Sequence, residues 1–296
     1  MTSKERVIKA INHEIPDRVP IGEWGVDHDH VSKILGRHTY WRNRRDTTIA
    51  LWEGRRDEVV ESLKYDYSEL IEKLDYDIIV VEKVAPKGYK HPDPPRKIAE
   101  GVWEDSKGNI YKYAASNDSI QCITHSEGKE EISNEDIDEA YANIANEDES
   151  VYELIDYIGN KYGKEKAIVG RDVDIYGCLM APFGGDYNHQ LIMTSLAPDE
   201  IKKMYAPCLE QNKKLLDRYA AHNVLIAMQG QDFGMNSGCI ISPTVLREVF
   251  FPFIQMVNQE IANRNMVPFF HCCGNIWDII EDFIQSGYKG YQSIQK

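Results

Sequence analysis

A histidine and a cysteine two residues apart, at the end of an apolar run, are the side chains of this chain best suited to chemistry. They lie in Val267-Pro268-Phe269-Phe270-His271-Cys272-Cys273-Gly274. In an extended strand, residues i and i+2 project to one face, so His271 and Cys273 can converge on one metal ion while Cys272 points the other way. Imidazole nitrogen and thiolate sulfur are both zinc ligands, and a catalytic zinc site commonly has three protein ligands and one open position. The pair is therefore more than half of such a site. The competing use of the same residues is packing, since a free cysteine is among the most buried residue types.

The elements that would position this pair follow from the pattern of the rest of the chain. Near-continuous apolar runs at about positions 20, 79, 169, 226, 269 and 293 read as six strands of a parallel sheet covered on both faces. Helical spacing separates them. Thr2-x-x-Glu5 predicts a capped N-terminal helix with Val7, Ile8 and Ile11 on one face, and further helices are predicted over about 57–74, 199–221, 242–263 and 275–287, with one capped by Ser150-x-x-Glu153. A Pro-rich loop at 87–96, a hairpin turning at Lys107-Gly108-Asn109 and an acidic, solvated connection at 127–149 interrupt the rhythm as an insertion at about 87–149. The expected architecture is a single α/β domain over residues 1–296.

Composition narrows the class of partner. The net charge of −14 disfavours nucleic acid and anionic membranes, which are bound through clustered Lys and Arg. No apolar run reaches the roughly 18 residues of a membrane span, and the charged start Met1-Thr-Ser-Lys-Glu-Arg6 is not a secretory signal. The expectation is a soluble, cytoplasmic protein whose six cysteines are core residues, ligands or nucleophiles and not a disulfide framework.

Several segments together resemble the uroporphyrinogen decarboxylase superfamily of (β/α)8 TIM barrels, particularly its cobalamin (corrinoid)-dependent methyltransferase branch. They are Thr2-Ser-Lys-Glu-Arg6 with Pro16-Asp-Arg-Val-Pro20, Gln231-Asp-Phe-Gly234, Ile241-Ser-Pro243, Phe251-Pro252 and His271-Cys-Cys-Gly-Asn275. The resemblance implies that His271 and Cys273 hold Zn2+, that a third ligand comes from late in the barrel, and that the corrinoid rides on a separate partner protein. The Arg-Gln-Ala-Gly-Arg pattern of the metal-free decarboxylases is absent; Arg42-Asn-Arg-Arg45 does not match it. Two strands of an eight-stranded barrel are also absent, so the chain reads as C-terminally short, and the third ligand must be sought among Cys239, Glu23 and Asp232.

In such barrels the site gathers at the C-terminal ends of the strands. Asp232 and Glu23 are the candidate catalytic carboxylates there, and Tyr176, Arg171 and Asp172 the candidate substrate-binding residues, with helix capping and turn hydrogen bonds as their ordinary alternative roles. The leading expectation is a zinc-dependent methyltransferase acting between a small methylated substrate, as in O-demethylation, or a thiol, and a corrinoid protein; a homodimer is compatible with it. A metal-free uroporphyrinogen decarboxylase using Asp77 or a rim carboxylate is the alternative, and a non-catalytic barrel fragment or partner subunit the third reading.

Overall fold

The computed structural model describes residues 1–124 and 127–294. Five of the predicted runs form one parallel sheet: β1 Ile78–Val81, β2 Ala167–Val173, β3 Val224–Gly230, β4 Val267–His271 and β5 Gly290–Gln292. Their order across the sheet is their order in the chain. Helices Glu153–Tyr162, Tyr205–Ala221, Phe251–Asn263 and Ile280–Gln285 lie in the successive connections. This is the winding of a (β/α) barrel, but the sheet does not close among the described residues. The last strand was expected to run to Gln295, which lies outside the described residues.

The strand expected near residue 20 is reduced to a single parallel bridge between Gly22 and Ile78. Pro20 has no N–H for a ladder. A β-carbon on Gly22 would sit 2.5 Å from that of Ile78, so the chain passes this edge only because the residue is glycine. The segment still matters, because it carries Trp24 to the inner side of the sheet.

Alternation along the strands feeds two separate cores. Ile79, Val81, Ile168, Ala227 and Phe270 pack outward among the helices. Ala167, Val169, Ile226 and Met228 pack inward with Val7 of the N-terminal helix Ser3–Ile11. Full burial of side chains of this size contributes about 1.5–3 kcal/mol each, which holds the strands in one register. The predicted Thr2–Glu5 capping box starts that helix, but Ile8, expected on its apolar face, is exposed.

The insertion is more ordered than its composition suggests. The predicted hairpin is the centre of a four-stranded antiparallel sheet that adds Arg96–Ala99 and Ser119–Cys122 at its edges. The acidic connection contains a helix, Asn134–Asn146, started by a Ser133–Asp136 capping box. None of its residues is buried, so the apolar periodicity that announces a helix is weak there, and the cap was the readable signal. The Ser150-x-x-Glu153 cap is not used as expected: Asp148 caps a short 3-10 turn, and the α-helix begins at Glu153.

Candidate metal centre

β3 and β4 lie side by side, with Gly230 opposite His271. Their backbones stay together beyond the sheet, where Gln231 N–H donates to the His271 carbonyl at 3.1 Å and Asn275 N–H to the Met235 carbonyl at 2.8 Å. Between these bonds Gly234 and Gly274 touch backbone to backbone. A β-carbon on Gly274 would lie 2.3 Å from the Gly234 carbonyl carbon, and Gly274 has a φ of +85°, a conformation open mainly to glycine.

This contact brings the loop of Asp232 against Cys273, whose N–H donates to Asp232 Oδ1 at 2.7 Å. His271 Nε2 lies 3.8 Å from Cys273 Sγ and 3.8 Å from Asp232 Oδ1. The three ligand atoms lie within 4.8 Å of one another. Donor atoms around a tetrahedral zinc stand about 3.3–3.8 Å apart, given metal–ligand bonds of about 2.0–2.3 Å. One imidazole, one thiolate and one carboxylate, reached with a small contraction, therefore fit zinc in both chemistry and spacing.

The neighbours of His271 prepare it for such a role. Its Nδ1 meets Gln292 Oε1, an acceptor, from β5. The proton then belongs on Nδ1, and the Nε2 lone pair faces Cys273 and Asp232. Trp24 stacks on the imidazole with centroids 5.0 Å apart and planes 3° apart, and Ser293 Oγ stands 3.4 Å from Cys273 Sγ. Cys272 points the other way, as alternation requires. It is fully buried, its sulfur accepts the Phe233 N–H at 3.2 Å, and burial pushes its thiol up to about 11.

Of the third-ligand candidates, Asp232 is the one brought to the pair. Glu23 is exposed on the other side of its segment, because Trp24 takes the inward position. Cys239 sits in a small hairpin with Gly234–Met235 and faces Asp278 and Arg247. Arg171 does lie at the inner rim, 3.1 Å from Glu82 and over the Trp24 ring at 5.0 Å. Its neighbour Asp172 does not join it, because successive residues of a strand point to opposite faces. The Asp172 carboxylate instead accepts the Lys83 N–H at 2.7 Å and lies 3.3 Å from the Tyr219 hydroxyl, and burial, then the Glu82 charge, pushes it up to about 6. Tyr176 is likewise a core residue, 5% exposed and stacked on Phe250.

Asp77, the anchor of the decarboxylase alternative, is fully buried at the opposite end of β1. Arg6 holds its Oδ1 at 2.6 Å and Arg18 its Oδ2 at 2.5 Å, while Arg6 also binds Asp17. Two of the front segments that carry the family resemblance thus meet in one ionic knot beneath the sheet. Residues not anticipated at the site are Gln292, Ser293 and Trp24; Tyr187, which follows the rim loop 177–186, is close enough that its phenol is raised by burial and then by the Asp232 charge. Alternation on β5 could have placed Gln292 inward; Trp24 lay in a segment read only as a strand.

No protein-family model matches the chain, and no curated protein matches it. Among solved structures, a methyltransferase from Methanosarcina mazei superposes with a TM-score of 0.61 over 98% of this chain and 75% of that one, at 14% identity. The two chains share a fold. A cavity of about 930 Å³ lies at the opposite end of β4 from the cluster, between Ile11–His13 and Val267–Pro268. Among the described residues, no other group of three His, Cys, Asp or Glu side chains could share a metal ion, and no helix is long and apolar enough to cross a membrane.

Proposed function

We propose that this protein is a zinc-dependent methyltransferase moving a methyl group between a small methylated substrate, or a thiol, and a corrinoid carried by a separate, docking protein. The observation that carries the reading is the convergence of His271, Cys273 and Asp232 at strand ends of a methyltransferase-like fold. Zinc, when bound, supplies Lewis acidity toward a methylated heteroatom or holds an acceptor thiol as thiolate.

The chain's own residues supply the rest. Gln292 holds the His271 proton on Nδ1, so that Nε2 is free to bind metal. Trp24 covers one face of the imidazole and keeps water from that side. Asp232, with its side chain 56% exposed, is the donor of the three most open to an incoming molecule, and its second oxygen can orient a leaving atom. The thiol beside it is held within the ring of donors, while the Cys272 thiol is kept protonated and out of reach.

Elemental analysis of the purified chain beside His271→Ala and Cys273→Ala is the test. One equivalent of zinc in the parent, lost in both variants with the circular dichroism spectrum intact, is the expected result. Folded protein that takes up no zinc when offered it would sink the proposal.

A further inference from the structure

Next to the metal cluster, and sharing Trp24 with it, is a cavity of about 120 Å³ lined by Trp24, Trp41, Arg42, Tyr67, Glu82 and Arg171, with Arg44 at its edge. Its charge is opposite to that of the molecule. The chain as a whole carries −14, yet the residues lining this cleft include three arginines and one acid. Arg171 is already paired with Glu82 at 3.1 Å. Arg42 is not satisfied in the same way: its Nε is buried with no hydrogen bond, facing only the exposed Asp27 at 3.4 Å.

The chain goes to some length to hold Arg42 there. Arg42 has a φ of +50°, in the left-handed region that side chains other than glycine adopt at a cost. Its side chain lies against Gly25, where a β-carbon would come within 2.5 Å of Cδ and 2.4 Å of Nη1. The walls are aromatic, with Trp41 packed on Tyr67 at 4.0 Å between centroids. A cavity of about 150 Å³ holds benzene, so at about 120 Å³ this open cleft takes one edge of a single ring with the rest at its mouth, and a tetrapyrrole is far too large.

We propose that this cleft binds a small aromatic carboxylate, its ring among the tryptophans and its carboxylate on Arg42, with Arg171 close by. A neutral carbonyl would accept from Arg42 without matching its charge, and a cation would be repelled by the arginines of the lining. Trp24 touches both Arg171 and His271, so the cleft adjoins the metal cluster across this one ring. That the bound anion is the recognition end of the methyl-transfer substrate rests on the proposed function; the binding itself does not.

Calorimetric titration of the full chain with benzoate and with its neutral analogue benzamide, with and without added zinc, tests this. Benzoate should bind roughly tenfold or more tightly than benzamide, the size of one charge-assisted hydrogen bond. Arg42→Gln should erase the difference. Gly25→Ala, which displaces Arg42 without removing it, should weaken benzoate by a similar factor, and serves if Arg42→Gln does not fold. Equal binding of the two ligands, or benzoate affinity unchanged in the folded variants, overturns the assignment. Zinc content of the same samples separates the two proposals: discrimination without zinc keeps the anion cleft and defeats the metal reading, and zinc without discrimination does the reverse.

Discussion

At His271 the placement of one proton decides whether the ring can serve a metal, and Gln292 governs it from a different strand. Loss of such an outer partner typically costs about 10–100-fold in metal affinity. Gln292→Ala should therefore keep the zinc stoichiometry but lose affinity by that factor in competition with a chromophoric chelator; an unchanged affinity would remove Gln292 from the site. Asp172 makes a different prediction, about stability. Its carboxyl titrates at about 6 in the folded protein and near 3.9 in an unfolded chain. Between those values the folded state keeps a proton that the unfolded state has lost, so stability falls as pH rises from about 4 to 6 and the loss is complete above. Asn at this position still accepts the Lys83 N–H. Asp172→Asn should gain stability over the parent across that window, on the order of 2–3 kcal/mol at pH 7, measured as the difference in urea midpoints at pH 4.5 and 7.

The strand ends show what local pattern can reveal. That His271 and Cys273 share a face while Cys272 turns into the core follows from a period of two, and the structure repeats it. Which carboxylate joins them does not follow from any single element. It depends on Gly234 and Gly274 touching across two loops, a contact between residues forty apart that periodicity cannot express. Gly274→Ala should break it, because the new methyl group meets backbone and not a movable side chain. The expected outcome is a folded protein with weakened zinc binding and normal far-UV dichroism; full zinc affinity would show that Asp232 is positioned by something else. Arg171 and Asp172 are a simpler case, since the same period of two turns one to Trp24 and the other to Tyr219.

At the scale of the whole molecule, the strand–helix order was readable because each inner strand must be apolar on both faces. The first strand was over-read: its apolar residues are real, but Val19 and Ile21 are exposed and only Gly22 pairs. The insertion was under-read for the opposite reason, its helix having no buried face. Arg6, Asp17 and Arg18 are legible as a pattern, but their partner Asp77 lies about sixty residues beyond Asp17 and is brought to them only by the fold.

The ring of Trp24 joins the loosely bridged edge of the sheet to its fourth strand, so the cluster rests partly on a segment that meets the sheet only around Ile21 and Gly22. Such segments open at a fraction of the free energy of global unfolding. Mild heating or low denaturant should then detach this edge first, with a Trp24-dependent change in fluorescence and release of bound zinc while the sheet and helices still give their native dichroism. The centre would be lost by a latch coming undone, not by the melting of the protein around it.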